Sequence, residues 1–179
     1  MVFFVSDLHF NQQRTIDISK RPFKSLDELN NTLINNWNST VSRDDTVYIL
    51  GDFGDFYYAQ FLNGYKIFIR GNYERGRYSN EYLSQFFEYV YPYDVMDISL
   101  DYNNKTYNIK LTHEPLNLKN KSLTKDYIGI FGHIHKLCMI KKYGINCGAD
   151  LHYFTPISFE DILFYHNAAL NYYDDNVFY

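Results

Sequence analysis

Five times along this chain a short apolar run stops abruptly at a small cluster of Gly, Asp, Asn or His. Residues 2–6 (VFFVS) stop at Asp7-Leu8-His9, and Val47-Tyr48-Ile49-Leu50 stops at Gly51-Asp52. Ile67-Phe68-Ile69 ends at Arg70-Gly71-Asn72, the run 106–112 ends at Thr112-His113, and Ile128-Gly129-Ile130-Phe131 leads into Gly132-His133-Ile134-His135. Short continuous apolar runs bounded by turn residues read as buried strands. Ligands of α/β sheets sit beyond the carboxyl ends of the strands, so the five clusters are expected to converge on one rim. The feature predicts an α/β fold with a chemical site at the sheet rim.

The remaining sequence fills in around that frame. Ser25 and Glu28 have capping-box spacing, and Leu26, Leu29, Leu33 and Trp37 recur at helical period, which predicts a helix to Trp37. Residues 94–100 and 106–112 flank Asn103-Asn104, a hairpin signal. Ser158 with Asp161 is placed to cap a last helix through about Leu170. No repeat, low-complexity tract or linker divides the sequence, so a single domain over 1–179 is expected.

Charge and cysteine usage narrow the class. Seventeen Lys and Arg against 21 Asp and Glu give a net charge of −4, which argues against a chain that coats nucleic acid. The apolar stretches fall far short of the ~20 residues of a membrane span, so no membrane partner is expected. The N-terminus meets Asp7 too early, and without basic residues, to read as a signal peptide. Cys138 and Cys147 are too few for a disulfide framework, and a reduced, cytoplasmic protein is expected.

The polar members of the clusters are Asp7, His9, Asp52, Asn72, His113, His133 and His135. All are oxygen or nitrogen donors and none is a thiolate, which suits manganese, iron or zinc and argues against a structural zinc site. Any one of them alone reads as a turn residue, a cap or a core histidine. Seven are too many for one ion with an open position, whereas two ions sharing a carboxylate account for them all. Paired ions about 3.5–4 Å apart clamp both ends of a phosphoryl displacement and acidify a bridging water.

The order Asp-x-His, Gly-Asp, Gly-Asn, His, Gly-His-x-His resembles the calcineurin-like metallophosphoesterase superfamily across nearly the whole chain. The flanks Ser6-Asp7-Leu8-His9-Phe10, Arg21-Pro22-Phe23, Asp45-Thr46-Val47-Tyr48 and Asn146-Cys147-Gly148-Ala149-Asp150 resemble its small bacterial and phage branch. The resemblance implies a four-layer αββα sandwich with the dimetal site at its sheet rim. It implies one ion held by Asp7, His9, Asp52 and His135, and a second held by Asp52, Asn72, His113 and His133. Asp52 is then the bridge, a carboxylate offering one oxygen to each ion. Manganese is the first choice of metal, with iron, zinc, nickel or cobalt as alternatives. Glycines before Asp52, Asn72 and His133 are expected to permit the sharp turns that aim those side chains inward.

The implied activity is phosphodiester hydrolysis on a nucleotide, cyclic nucleotide or RNA end, by in-line attack of a bridging hydroxide. Asp52, Asn72, Tyr73 and His113 are the catalytic candidates, and Arg21 is a candidate contact to the substrate phosphate. A phosphomonoesterase, protein phosphatase included, and a non-catalytic metal-binding scaffold are the alternatives. The chain departs from the family at Tyr73, where the common motif carries a histidine. A tyrosine of pKa ~10 is a weaker acid than imidazolium and carries no positive charge. A phosphodiester monoanion needs less charge compensation than a monoester dianion, so the substitution favours diesters.

Overall fold

The structure, a computed structural model, describes residues 1–171 and holds two five-stranded sheets. In the first sheet, β1 (Val2–Val5), β2 (Thr46–Leu50), β3 (Tyr65–Ile69) and β4 (Tyr89–Val90) run parallel, and β10 (Ile157–Ser158) pairs antiparallel with β1 at the edge. The second sheet has the order β5 (Val95–Tyr102), β6 (Lys105–Thr112), β7 (Tyr127–Phe131), β9 (Gly144–Asn146), β8 (Ile140–Lys141). Its centre, β6-β7-β9, is parallel and both edges are antiparallel. The α/β class expected from the apolar runs is thus present, and all five runs are strands.

Alternation along the parallel strands explains why those runs are continuous. Phe3, Val5, Val47, Ile49 and Phe68 face one core with Leu29, Leu33 and Trp37 of helix α2 (Leu26–Thr40). Phe4, Tyr48, Leu50, Ile67 and Ile69 face the other core, against Ile109, Leu111, Ile128, Ile130 and Ile145 of the second sheet. Each strand is buried on both faces, and each large side chain so buried contributes about 1.5–3 kcal/mol. The outer face of β5 and β6 is polar instead, with Asp97 opposite Lys110, Ser99 opposite Asn108 and Asp101 opposite Thr106.

Helix α2 begins as expected, with Ser25 accepting from the Glu28 N–H, and runs one turn past Trp37 to Thr40. The hairpin turns at Asn103 and Asn104, both left-handed (φ 50° and 62°), the backbone that a tight primed turn requires. Ser158 caps the last helix, α4 (Phe159–Asn171), by accepting from the Asp161 N–H. The sequence did not foretell helix α1 (Gln13–Ser19) or the single turn α3 (Asn80–Leu83). In α1 only Thr15 and Ile16 are buried, too small an apolar stripe to register as a period. No helix among the described residues is long and apolar enough to cross a membrane.

Candidate metal centre

The rim gathers the candidate ligands directly from strand ends: Asp7 and His9 follow β1, Asp52 follows β2, Asn72 follows β3, His113 follows β6, and His133 and His135 follow β7. Asp7, His9, Asp52, His133 and His135 all hold left-handed backbone, with φ between 48° and 72°. Such a conformation costs a residue with a side chain roughly 1–3 kcal/mol and persists only where its surroundings enforce it. Here backbone hydrogen bonds lace the loops together, Asp7 N–H to Gly51 O at 3.1 Å, His9 N–H to Asp52 O at 3.0 Å and Gly132 N–H to His113 O at 3.0 Å.

The expected role of the glycines holds at Gly51, whose φ is +78°. Gly71 and Gly132 serve a different need, close approach. A Cβ at Gly71 would sit 2.2 Å from Asp52 Oδ1, and one at Gly132 would sit 2.1 Å from Ser6 Oγ and 2.7 Å from Asp7 Oδ2. Only a residue without a side chain lets the two loops close on the carboxylates.

Two triads result, Asp7-His9-His135 and Asp52-His113-His133, each with ligand atoms within 4.8 Å of one another. In the first, Asp7 Oδ1 lies 3.9 Å from His9 Nε2 and 3.8 Å from His135 Nε2. In the second, His113 Nε2 lies 2.9 Å from Asn72 Oδ1 and 3.2 Å from His133 Nδ1. Asp52 Oδ2 reaches both, at 3.7 Å from His9 Nε2 and 3.4 Å from His113 Nε2. The atom within reach of both is thus Oδ2, while Asp52 Oδ1 accepts the Tyr73 N–H at 3.0 Å.

Outer hydrogen bonds aim the rings. His113 Nδ1 pairs with Leu50 O at 2.7 Å, His9 Nδ1 with Gln12 Oε1 at 2.7 Å and His135 Nδ1 with Asp150 Oδ2 at 2.9 Å. Each pairing places a proton on Nδ1 and turns Nε2 inward, where it offers a lone pair once deprotonated, the arrangement typical of metal-ligating imidazoles. Asp7 Oδ2 accepts from Ser6 Oγ and the His133 N–H, while Asp7 Oδ1 and His9 Nε2 are buried without a hydrogen-bond partner. Buried polar atoms left unpaired are costly and rare, and two of them facing each other fit a cation. The donor set, two carboxylates, an amide oxygen and four imidazoles, suits divalent ions.

With protons as the only cations, the titrations are strongly perturbed. Burial pulls His113 down, but its hydrogen bond to Asp52 and the charges of Asp7 and Asp52 outweigh it and lift it to about 9. Burial dominates at His9 and lowers it despite Asp7 and Asp52. For Asp52, burial is outweighed by His113, His9 and the Tyr73 N–H, and the carboxyl falls below its usual range.

No family model matches the sequence. An uncharacterized protein of Methanocaldococcus jannaschii is 29% identical over 179 residues, covering 90% of this chain and 89% of that one. A crystal structure of a protein of unknown function from Aquifex aeolicus matches with a TM-score of 0.66 at 23% identity, over 92% of this chain and 98% of that chain. The fold is shared.

Several residues turn out to matter that the motif positions did not single out. Glu74 is buried and accepts from the Asp52, Phe53 and Gly71 N–H groups at 2.9–3.0 Å, so one carboxylate ties the Asp52 and Asn72 loops. Its place directly behind Gly71-Asn72-Tyr73 was the available signal. Gln12 and Asp150 fix His9 and His135. Arg21, read from sequence as a phosphate contact, is buried with its guanidinium on both Asp150 oxygens and on the Asp7 and Leu8 carbonyls. Four of its five N–H donors are engaged inside the fold and its side chain has no exposed surface, which argues against a clamp. Tyr73 is half-buried, its ring edge-on to His9 at 5.1 Å, with the exposed Arg77 guanidinium 5.8 Å from its centroid. His152 and His166 stand outside both triads.

Proposed function

We propose that this protein is a divalent-metal-dependent phosphoesterase, and specifically a phosphodiesterase acting on a nucleotide, cyclic nucleotide or RNA end. One observation carries the reading: two triads meet at a single carboxylate oxygen, beside two buried ligand atoms that have no other partner. Asp7, His9, Asp52 and His135 would hold one ion, and Asp52, Asn72, His113 and His133 the other. Such a pair, when bound, neutralises charge on a phosphoryl group and brings the pKa of water towards neutrality. The two sheets and the helix layer on the first supply three layers of the proposed αββα domain, and the free cysteines Cys138 and Cys147 are consistent with a cytoplasmic setting.

The residues themselves divide the remaining work. Asp52 presents its negative charge to both ion positions, and Asn72 offers a neutral oxygen that adds none. Asn72 and His133 are exposed, so the second triad is the side from which a phosphate ester approaches. Tyr73 stands beside His9, its ring edge-on at 5.1 Å, where the common motif carries a histidine. Without an imidazolium at that position a dianionic monoester has less charge compensation, which leaves a monoanionic diester the better-suited substrate. Turnover of chromogenic diesters and monoesters with added Mn²⁺, for wild type and Asp52→Ala, tests the reading. Diester hydrolysis that needs metal and disappears in Asp52→Ala supports it; no turnover of either class by metal-loaded wild type refutes it.

A further inference from the structure

His135 is the member of the buried triad that reaches the surface, with its side chain 23% exposed, and it is held from behind by a buried ion pair. Asp150 Oδ2 accepts from His135 Nδ1 at 2.9 Å and from Arg21 Nη2 at 2.8 Å, while Asp150 Oδ1 accepts from Arg21 Nε at 3.0 Å. The same guanidinium donates to Leu8 O at 2.7 Å and to Asp7 O. Those carbonyls belong to the segment from Asp7 to His9, in which Asp7 and His9 hold left-handed backbone. One buried cation thus grips the backbone between two ligands and, through Asp150, the ring of the third. The other triad is braced at its buried member His113, whose Nδ1 pairs with Leu50 O at 2.7 Å, but not at His133, whose Nδ1 has Asn72 and His113 as partners, and Asn72 and His133 lie exposed.

We infer that Arg21 and Asp150 are positioning residues that pre-set Asp7, His9 and His135 for one ion, making that site the tighter of the two and the first to fill. The inference rests on the two-ion reading above and adds an order to it. A pre-organised ligand set pays less ordering cost on binding, and loss of an outer hydrogen-bond partner typically weakens metal binding about 10–100-fold. Had the pair served only to join residues 21 and 150 in the fold, its removal would lower thermal stability and leave the ratio of the two affinities alone.

The test is calorimetric titration of Mn²⁺ into the full-length wild-type protein and Asp150→Asn, with thermal melting of each metal-free sample. Wild type is expected to show two steps, the tighter lost in His135→Ala and the weaker in His133→Ala. Asp150→Asn should weaken the tighter step about 10–100-fold and leave the weaker one within about threefold. An unchanged tighter step in folded Asp150→Asn, equal weakening of both steps, or equal affinities in wild type overturns the inference. If Asp150→Asn fails to fold, Arg21→Met/Asp150→Leu removes both buried charges together, a change such pairs often tolerate, and is read by the same criteria. Failure of both variants to fold assigns the pair to the fold alone and overturns the positioning role. Wild type that takes up no Mn²⁺ overturns the metal reading itself, a result distinct from two steps in wild type with an unaltered variant.

Discussion

The two triads of the rim are built from the same residue types and yet differ in exposure and in how their outermost members are held. Asp7 and His9 are buried, braced by Ser6, Gln12 and the Arg21–Asp150 pair, and carry two unpaired ligand atoms. In the second triad Asp52 and His113 are buried while His133 and the neighbouring Asn72 lie open, and Asn72, His113 and His133 are already within hydrogen-bond distance of one another. On the proposed reading the first triad retains a cation and the second admits a ligand. Ligand identity alone does not make a site: burial and outer hydrogen bonds decide what each half does.

The sharpest way to break the comparison is to remove what the halves share. Asp52→Ala deletes the oxygen facing both triads, and loss of a direct ligand should exceed the ~10²-fold that an outer partner costs, at both steps and in diester turnover. Elemental analysis after dialysis checks it, and wild-type metal content would remove Asp52 from its shared role.

Glu74 supports the same hinge from beneath. Glu74→Ala leaves three buried N–H groups without an acceptor, a loss on the order of 3 kcal/mol. For a chain of this size the melting temperature should drop by roughly 6–12 °C, with both affinities falling together. Glu74→Gln keeps the acceptor oxygen at one end and should recover part of that loss, which a melting curve reads directly.

Proton competition sharpens the contrast. A histidine must shed its proton to ligate, and ordinary imidazoles place that window near ~6.5. His113 moves it to about 9 for the open triad, so Mn²⁺ affinity there should rise up to ~10-fold per pH unit towards pH 9. The metal-free protein should show the reverse trend. A folded-state pKa raised from ~6.5 contributes stability that is fully present below ~6.5 and is lost as pH rises through about 9. Melting curves of metal-free wild type and His113→Gln should therefore differ most near pH 6.5 and converge above pH 9; a constant gap would show that His113 is not charged in the fold.

Tyr73→His is the smallest and most specific change. An imidazolium beside His9 adds a proton donor and a charge, both of greater use to a dianionic monoester, and the monoester-to-diester ratio should rise about tenfold, or ~1.4 kcal/mol. An unchanged ratio across a full pH profile would separate substrate preference from this position.

The parts of the molecule that were legible in the sequence are those set by local pattern. Strands buried on both faces write themselves as continuous apolar runs, and the ligands follow because each sits at the end of such a run. The hairpin was legible because two consecutive asparagines tolerate left-handed backbone. The braces were not, because Arg21 meets Asp150 and His9 meets its left-handed backbone only once distant loops are laced together. A cation following a ligand motif reads as a phosphate contact until its donors are seen to be engaged, as at Arg21. Likewise a glycine before a ligand reads as a turn, whereas Gly71 and Gly132 mark where two loops touch.

The central claim, two unequal cation sites that share Asp52, is tested most directly by anomalous diffraction from crystals equilibrated with rising concentrations of Mn²⁺. The account predicts a peak beside Asp7, His9 and His135 at the lowest concentration, and a second beside Asn72, His113 and His133 as the concentration rises, with Asp52 Oδ2 between them. Peaks that appear together with equal occupancy, a first peak at the open triad, or no peak at either triad would contradict it.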